Sequence, residues 1–329
     1  MTLLWIGAYT ENMGGFSKGI ASVKLEPKGI FFDSMGALTQ SPSYLAHSHT
    51  PGVIYAVDEG SGKVEAFQRK GKSSSLASLG SQPTTGTLPC HLAATAQWLY
   101  VSNYGTGQVD VYPLDQGGKI GPVHQTLSST GKGPRPEQEG PHAHSTLAFG
   151  DTALVADLGT DRVNVYRWHE TKLEAESSLE LPPGTGPRDF AVSPVAGKIY
   201  LLGELDGSVF VLGGGRNLQI MKAAKVGAAP GDHAAGLVVD PTGRFLFTGL
   251  RGSNRVVSID ANSLEVISAL PSGGDTPRGM CVVGNLLLVA NQKSGTISAF
   301  QIDQQTGALV MVGTPLLIDS PTCILPDFS

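Results

Sequence analysis

One pattern of about 45 residues recurs along this chain and limits what it can become. Segments 53–67 (VIYAVDEGSGKVEAF), 98–112 (WLYVSNYGTGQVDVY) and 153–166 (ALVADLGTDRVNVY) share a plan. So do 199–212 (IYLLGELDGSVFVL), 245–259 (FLFTGLRGSNRVVSI) and 286–300 (LLLVANQKSGTISAF). Each is an apolar run, a short polar tip containing glycine, then an alternating run, which predicts a β-hairpin. Residues 3–25 supply a seventh copy with a longer tip.

A third short apolar run precedes each hairpin after the first. It opens at Pro42, Pro89, Pro141, Pro187, His233 and Pro277. Proline suits the first residue of a strand, where no ladder donor is lost. Runs after the hairpins, such as 76–82 and 264–270, supply a fourth strand. Four strands at this period make the blade of a β-propeller. The first copy lacks its opening strand, and the chain finishes with Ser320-Pro321-Thr322-Cys323-Ile324-Leu325, an opening run with no hairpin after it. That tail is expected to complete the first blade and close the ring. The prediction is an all-β, seven-bladed propeller of four-stranded antiparallel blades, with residues 1–329 as one domain. Two stacked β-sandwiches would leave the even period and the orphan end strands unexplained.

Composition agrees. The 43 glycines and 21 prolines suit many tight turns, and 40% apolar residues argue against disorder. The net charge is −5 with no basic run, which speaks against a nucleic-acid partner. No stretch has the continuous apolar length of a membrane helix, so no membrane partner is expected. Three scattered cysteines (Cys90, Cys281, Cys323) make no disulfide framework. With no basic flank or leader pattern at the N-terminus, they read as reduced thiols of a cytoplasmic protein. A monomer or weak dimer is expected.

In a propeller, the loop opening each inner strand and the tip joining the second and third strands reach the same face. The opening set contains His91, His142, His144, Arg188, His233 and Arg278. The tip set contains Asp58, Glu59, Asn103, Tyr104, Asp157, Glu204, Arg251, Asn291 and Gln292. Asp58, Asp157 and Asn291 equally suit turn capping, and His91 a satisfied channel histidine. The combination His144, Arg188, Glu204 and Arg251 points to chemistry. Arginines opposed by few carboxylates form an anion site, and a histidine beside them can act as a base near neutral pH. His91, His142, His233, Arg278, Asn103 and Asn291 are the candidate substrate contacts. The expected ligand is a small anionic molecule.

Other motifs do not hold. Gly131-Lys132-Gly133 lacks the glycine spacing and Ser/Thr of a phosphate loop. Gly213-Gly214-Gly215 opens no helix. His142-Ala143-His144 has metal-ligand spacing on a strand, but no second cluster completes the shell. No metal or cofactor is expected.

The stretches GPHAHS (140–145), ADLGTDRVNVY (156–166), GTGPRDF (184–190), LGEL (202–205) and PRGM…LLVANQKSGTISAFQID…TGAL (277–309) resemble the seven-bladed propeller lactonase family. That family includes bacterial propeller-type 6-phosphogluconolactonases and fungal carboxy-cis,cis-muconate cyclases. The resemblance runs from Gly7-Ala8-Tyr9-Thr10 to the closing Pro321–Leu325 run. It implies a catalytic set that falls on His144, Arg188, Glu204 and Arg251. One departure is Asp189, where family members commonly carry histidine, and this aspartate is expected to pair with Arg188. The resemblance implies hydrolysis of 6-phosphoglucono-δ-lactone, a pentose phosphate step. His144 or Glu204 would activate water, Arg188 or Arg251 would hold the oxyanion, and Arg278 with His233 would hold the phosphate. A lactonising cyclase, or a lactonase for another anionic lactone, would use the same parts. A propeller without chemistry, used as a binding platform, is the third reading.

Overall fold

The computed structural model describes residues 1–195, 197–215 and 217–327. The hairpin repeat becomes seven four-stranded antiparallel sheets. Blade 1 joins Pro321–Asp327 to Thr2–Ala8, Gly19–Glu26 and Gly29–Leu38. The inner strands of blades 2 to 7 are Leu45–His47, Pro89–Ala94, Ala143–Phe149, Pro187–Val192, His233–Val239 and Pro277–Val283. Each inner strand touches the next around the whole circle, Pro321–Asp327 included. Among the described residues there is no α-helix, only the single-turn 3₁₀ segments Glu11–Met13 and Pro136–Gln138.

Ring closure follows the expected route. The C-terminal strand pairs antiparallel with the first, Leu4 opposite Pro326 and Ile6 opposite Ile324. A blade missing its inner strand would leave Thr2–Ala8 as an open edge. Closing it with the distant terminus removes that edge from the middle of the molecule.

Alternation along the strands puts apolar side chains on both faces of each blade, because every blade is sandwiched by two others. The core is accordingly split into seven clusters, one per blade-to-blade seam. At the seam of blades 5 and 6, Tyr200, Leu202 and Val209 meet Leu237, Leu246 and Val257. At the closing seam of blades 7 and 1, Leu288, Ala290 and Ile297 meet Leu4, Ile6 and Val23. Each fully buried Leu or Ile contributes on the order of 1.5–3 kcal/mol. The three cysteines are unpaired. No helix is long and apolar enough to cross a membrane.

Candidate active site

The inner strands are not regular. In six blades the pairing with the second strand skips one residue: Cys90, His144, Arg188, Gly236, Arg278 and Thr322. Ser43, one residue past Pro42 as Cys90 is past Pro89, holds the same place in blade 2. A bulge leaves its residue unpaired and re-aims its side chain. These seven positions form a ring around the channel.

A second ring comes from the hairpin tips. The residue just past the second strand donates its N–H to the carbonyl just before the inner strand opens. Glu204 bonds Gly186 at 2.8 Å, Tyr104 bonds Leu88 at 2.9 Å, Gln292 bonds Thr276 at 2.9 Å, Glu59 bonds Ser41 at 3.2 Å and Tyr9 bonds Ser320 at 3.1 Å. Four of these acceptors, Ser41, Leu88, Thr276 and Ser320, are non-glycine residues held at positive φ. Such backbone costs on the order of 1 kcal/mol or more each and gathers where a site must be held in place. The inner ring surrounds a cavity of about 180 Å³ lined by all seven inner strands and, from the tips, by Glu59. Glu59, His91, His144, Arg188 and Arg278 give it polarity. Further along the strands Leu237, Val238, Met280 and Ile324 make the wall apolar.

On one side, blades 5 and 6 build a charge cluster around Glu204. Arg188 Nη1 donates to Glu204 Oε2. Arg251 Nη2 lies 2.7 Å from Oε1, an ion pair set off-axis for a hydrogen bond. His233 Nδ1 lies 3.3 Å from the same oxygen. Arg251 gets there because the inner hairpin of blade 6 pairs further out than its counterparts, with His233 opposite Arg251. The Ala234 N–H then bonds the Glu204 carbonyl at 3.0 Å and ties the two blades together. Burial raises the Glu204 pKa, but Arg251, Arg188 and the His233 hydrogen bond outweigh it and hold the carboxyl well below its usual range. Burial lowers Arg251 to about 10, against the pull of Glu204.

His144 stands in the bulge of blade 4, next to Arg188 around the ring. Its Nδ1 is buried without a hydrogen-bond partner. Burial, with Arg188 adding to it and Glu204 opposing it, holds the imidazole well below its ordinary pKa. It is therefore neutral at physiological pH, with a free ring nitrogen. His91 lines the same cavity, its ring tilted against Tyr44 with centroids 4.4 Å apart, and burial plus Arg188 lower it to about 3. Its Nδ1 is 3.4 Å from the Thr146 N–H.

Other sequence candidates fall elsewhere. His142 stacks on Tyr104 at 4.6 Å and its Nδ1 lies 2.7 Å from the Tyr104 carbonyl. The bulge between Ala143 and Ser145 breaks the strand alternation that would have aimed His142 and His144 the same way. No group of three or more His, Cys, Asp or Glu side chains among the described residues is arranged to hold a metal. Asn103 and Asn291 turn into their own blades rather than the cavity. Asn103 Nδ2 donates to Asp110 at 3.0 Å, and Asn291 Nδ2 to Ser298 at 3.0 Å. Each is the last residue of its second strand, one short of the tip position that faces the mouth. Asp58 and Asp157 sit at that same strand end and accept turn N–H groups from Ser61 and Gly159. The expected Asp189–Arg188 pairing is not formed. Asp189 is the paired residue after the bulge, so its carboxylate turns from Arg188 and accepts the Leu237 N–H at 2.9 Å. Its pKa is raised by burial. Ser43 and Tyr44, which line the cavity, and Tyr9, which contacts Glu59 and Arg278, are missing from the sequence reading. Tyr9 was legible as the residue following Gly7-Ala8, just as Glu204 follows Gly203.

Fold and site thus define a closed seven-bladed ring whose channel mouth gathers a neutral histidine, three arginines and two buried carboxylates. The chain belongs to the family described as lactonase, 7-bladed beta-propeller, whose model matches residues 3–326. It is a lactone hydrolase, a carboxylic ester hydrolase acting on a cyclic ester. It is 27% identical over 340 residues to the 6-phosphogluconolactonase of Bacillus subtilis, covering 97% of each chain. The crystal structure of a putative 6-phosphogluconolactonase from Bacteroides fragilis superposes with a TM-score of 0.92, at 26% identity over 99% of this chain and 97% of that one. The periplasmic gluconolactonase PpgL of Pseudomonas aeruginosa superposes with a TM-score of 0.88, at 27% identity over 99% of both.

Proposed function

We propose that this chain hydrolyses 6-phosphoglucono-δ-lactone to 6-phosphogluconate at the channel mouth, with His144 as the general base. The observation that carries this is the pairing of an unprotonated, unpartnered His144 with the Arg188–Glu204–Arg251 cluster beside it. The names of the Bacillus subtilis and Bacteroides fragilis relatives support the substrate. Of the two bases left open by sequence, Glu204 is the poorer. A carboxylate locked between two guanidiniums and held ionised takes up a proton reluctantly.

His144 removes a proton from water, and the hydroxide attacks the lactone carbonyl carbon. Negative charge develops on the carbonyl oxygen, where Arg188 lines the cavity and supplies donors. The ring C–O bond then breaks, and the leaving ring oxygen takes the proton back from His144. Glu204 fixes the arginines in place before substrate arrives, so little reorganisation is needed in the transition state. Arg251 and His233 flank Glu204 from blade 6. Turnover of fresh 6-phosphoglucono-δ-lactone in a pH-stat, corrected for spontaneous opening, tests the reading, with glucono-δ-lactone and a muconolactone beside it. Absence of catalysed turnover of the phosphorylated lactone would refute it.

A further inference from the structure

The second carboxylate of the mouth is satisfied without an arginine. Glu59 sits at the tip position of blade 2, buried, as Glu204 does in blade 5. Its Oε1 accepts from the Tyr9 hydroxyl at 3.2 Å and its Oε2 from the Ser43 hydroxyl. Tyr9 in turn lies under Arg278, whose guanidinium carbon is 5.2 Å from the ring centroid. A cation over an aromatic face is held by the ring's quadrupole and keeps its edge donors free.

Arg278 makes no ion pair with any carboxylate among the described residues. Its one side-chain hydrogen bond is a long one, Nη1 to Gln292 Oε1 at 3.5 Å. It occupies the bulge of blade 7 and lines the same cavity as His144 and Arg188. A half-buried guanidinium with an unused planar fork suits a tetrahedral or planar oxyanion. Arg188 and Arg251 are different, since both already face Glu204. His233, expected beside Arg278, is drawn to Glu204 instead.

We infer that Arg278, seated on a Tyr9–Glu59–Ser43 cradle, anchors a phosphate monoester remote from the lactone carbonyl and selects phosphorylated over unphosphorylated lactones. This rests on reading the mouth as a lactonase site. Glu59 is a positioning residue. It orients Tyr9 through its hydroxyl, and its own charge tempers the anion affinity of Arg278. One cavity can serve both groups, because the phosphate of 6-phosphoglucono-δ-lactone sits on C6 and the carbonyl is C1, while Arg278 and Arg188 enter it from different blades.

The test is the ratio of kcat/KM for 6-phosphoglucono-δ-lactone to that for glucono-δ-lactone. Arg278→Met should lower the ratio about 10- to 100-fold, the range for losing charge-assisted hydrogen bonds. Arg278→Lys, which retains charge but loses the fork, should lower it several-fold and serves if the methionine variant folds poorly. Glu59→Gln should move the ratio the other way, because the amide still accepts from Tyr9 and its negative charge is gone. A merely structural role for Glu59 would not raise it. Arg251→Met should depress both lactones and keep the ratio within about threefold. The inference is overturned if Arg278→Met lowers both lactones alike, or if inorganic phosphate inhibits that variant as well as it inhibits the wild type. Should the wild type hydrolyse neither lactone, the lactonase reading fails on its own. Calorimetric titration with inorganic phosphate then decides the anchor, with binding lost in Arg278→Met supporting it and equal binding refuting it.

Discussion

Glu204 and Glu59 occupy equivalent places, each just past the second strand of its blade, yet their carboxylates are satisfied in opposite ways. The difference lies in the bulged residue of the same blade. In blade 5 that residue is Arg188, so tip and bulge close into a buried ion pair. In blade 2 the equivalent place holds Ser43, a hydroxyl, and Glu59 needs no cation. In blade 7 the roles invert: Arg278 is the bulged residue and its tip partner, Gln292, is neutral. One backbone design therefore gives a half whose arginines are in contact with a carboxylate and a half whose arginine is in contact with none. The paired half is built to hold a reacting centre still, and the other to receive an anion.

The comparison breaks most visibly at His144. Replacing it by alanine should cut kcat about 10²- to 10⁴-fold on any lactone the enzyme accepts. A comparable loss from Tyr9→Phe instead would put the reacting centre in the wrong half. Arg188→Met should cost about 10²- to 10³-fold in kcat, the usual scale for one oxyanion donor. It should exceed the loss from Arg251→Met, since Arg188 lines the cavity and Arg251 reaches it only through Glu204.

Stability sharpens the contrast between the carboxylates. Glu204→Gln leaves two buried guanidiniums facing a neutral amide and should cost about 3–5 kcal/mol in urea unfolding. Glu59→Gln, whose partners are hydroxyls, should cost far less. Glu204's folded pKa is depressed, so its contribution is complete above its ordinary value of 4.5 and is lost as pH falls below that toward the folded value. The wild type should therefore lose stability below pH 4.5 more steeply than Glu204→Gln.

Histidine gives a second pH signature, which sets in at higher pH. His91 and His144 are buried as neutral rings, so the unfolded chain binds protons that the folded one refuses. Stability should fall as pH drops below 6.5, by about 1.4 kcal/mol per unit for each histidine. His91→Gln should remove one share of that slope. By the same depression, the acid limb of kcat/KM should lie well below pH 6.5, and a limb at 6.5 would argue against His144 as base. Smallest of all, Asn103→Ala should cost about 1–2 kcal/mol of stability and move KM less than twofold, because its amide serves Asp110 rather than the cavity.

Much of this was legible in the chain. Hairpin periodicity and the orphan Pro321–Leu325 run predicted seven blades and their closure, since a strand without a hairpin has one place to go in a ring. The family motifs and the two loop sets also named Arg188, Glu204 and Arg251, which meet in one ion-pair cluster, and His144, which lines the cavity with Arg188. The choice within each tip pair was not legible. Asp58 or Glu59, Asn103 or Tyr104, Asn291 or Gln292 differ by one residue, and a one-residue step reverses which way a strand-end side chain faces. Asp189 was misassigned for the same reason, because the bulge at Arg188 turned its neighbour away.

The sequence by itself determined the architecture: a period of apolar runs fixes the number of blades, and burial of each blade between two others fixes their packing. Only the tertiary structure decided the electrostatics of the mouth. Which carboxylate meets which guanidinium depends on six bulges, on a longer hairpin in blade 6 and on contacts between residues such as Tyr9 and Arg278 that lie at opposite ends of the chain. Distances of that kind are set by how the ring closes, and no local pattern records them.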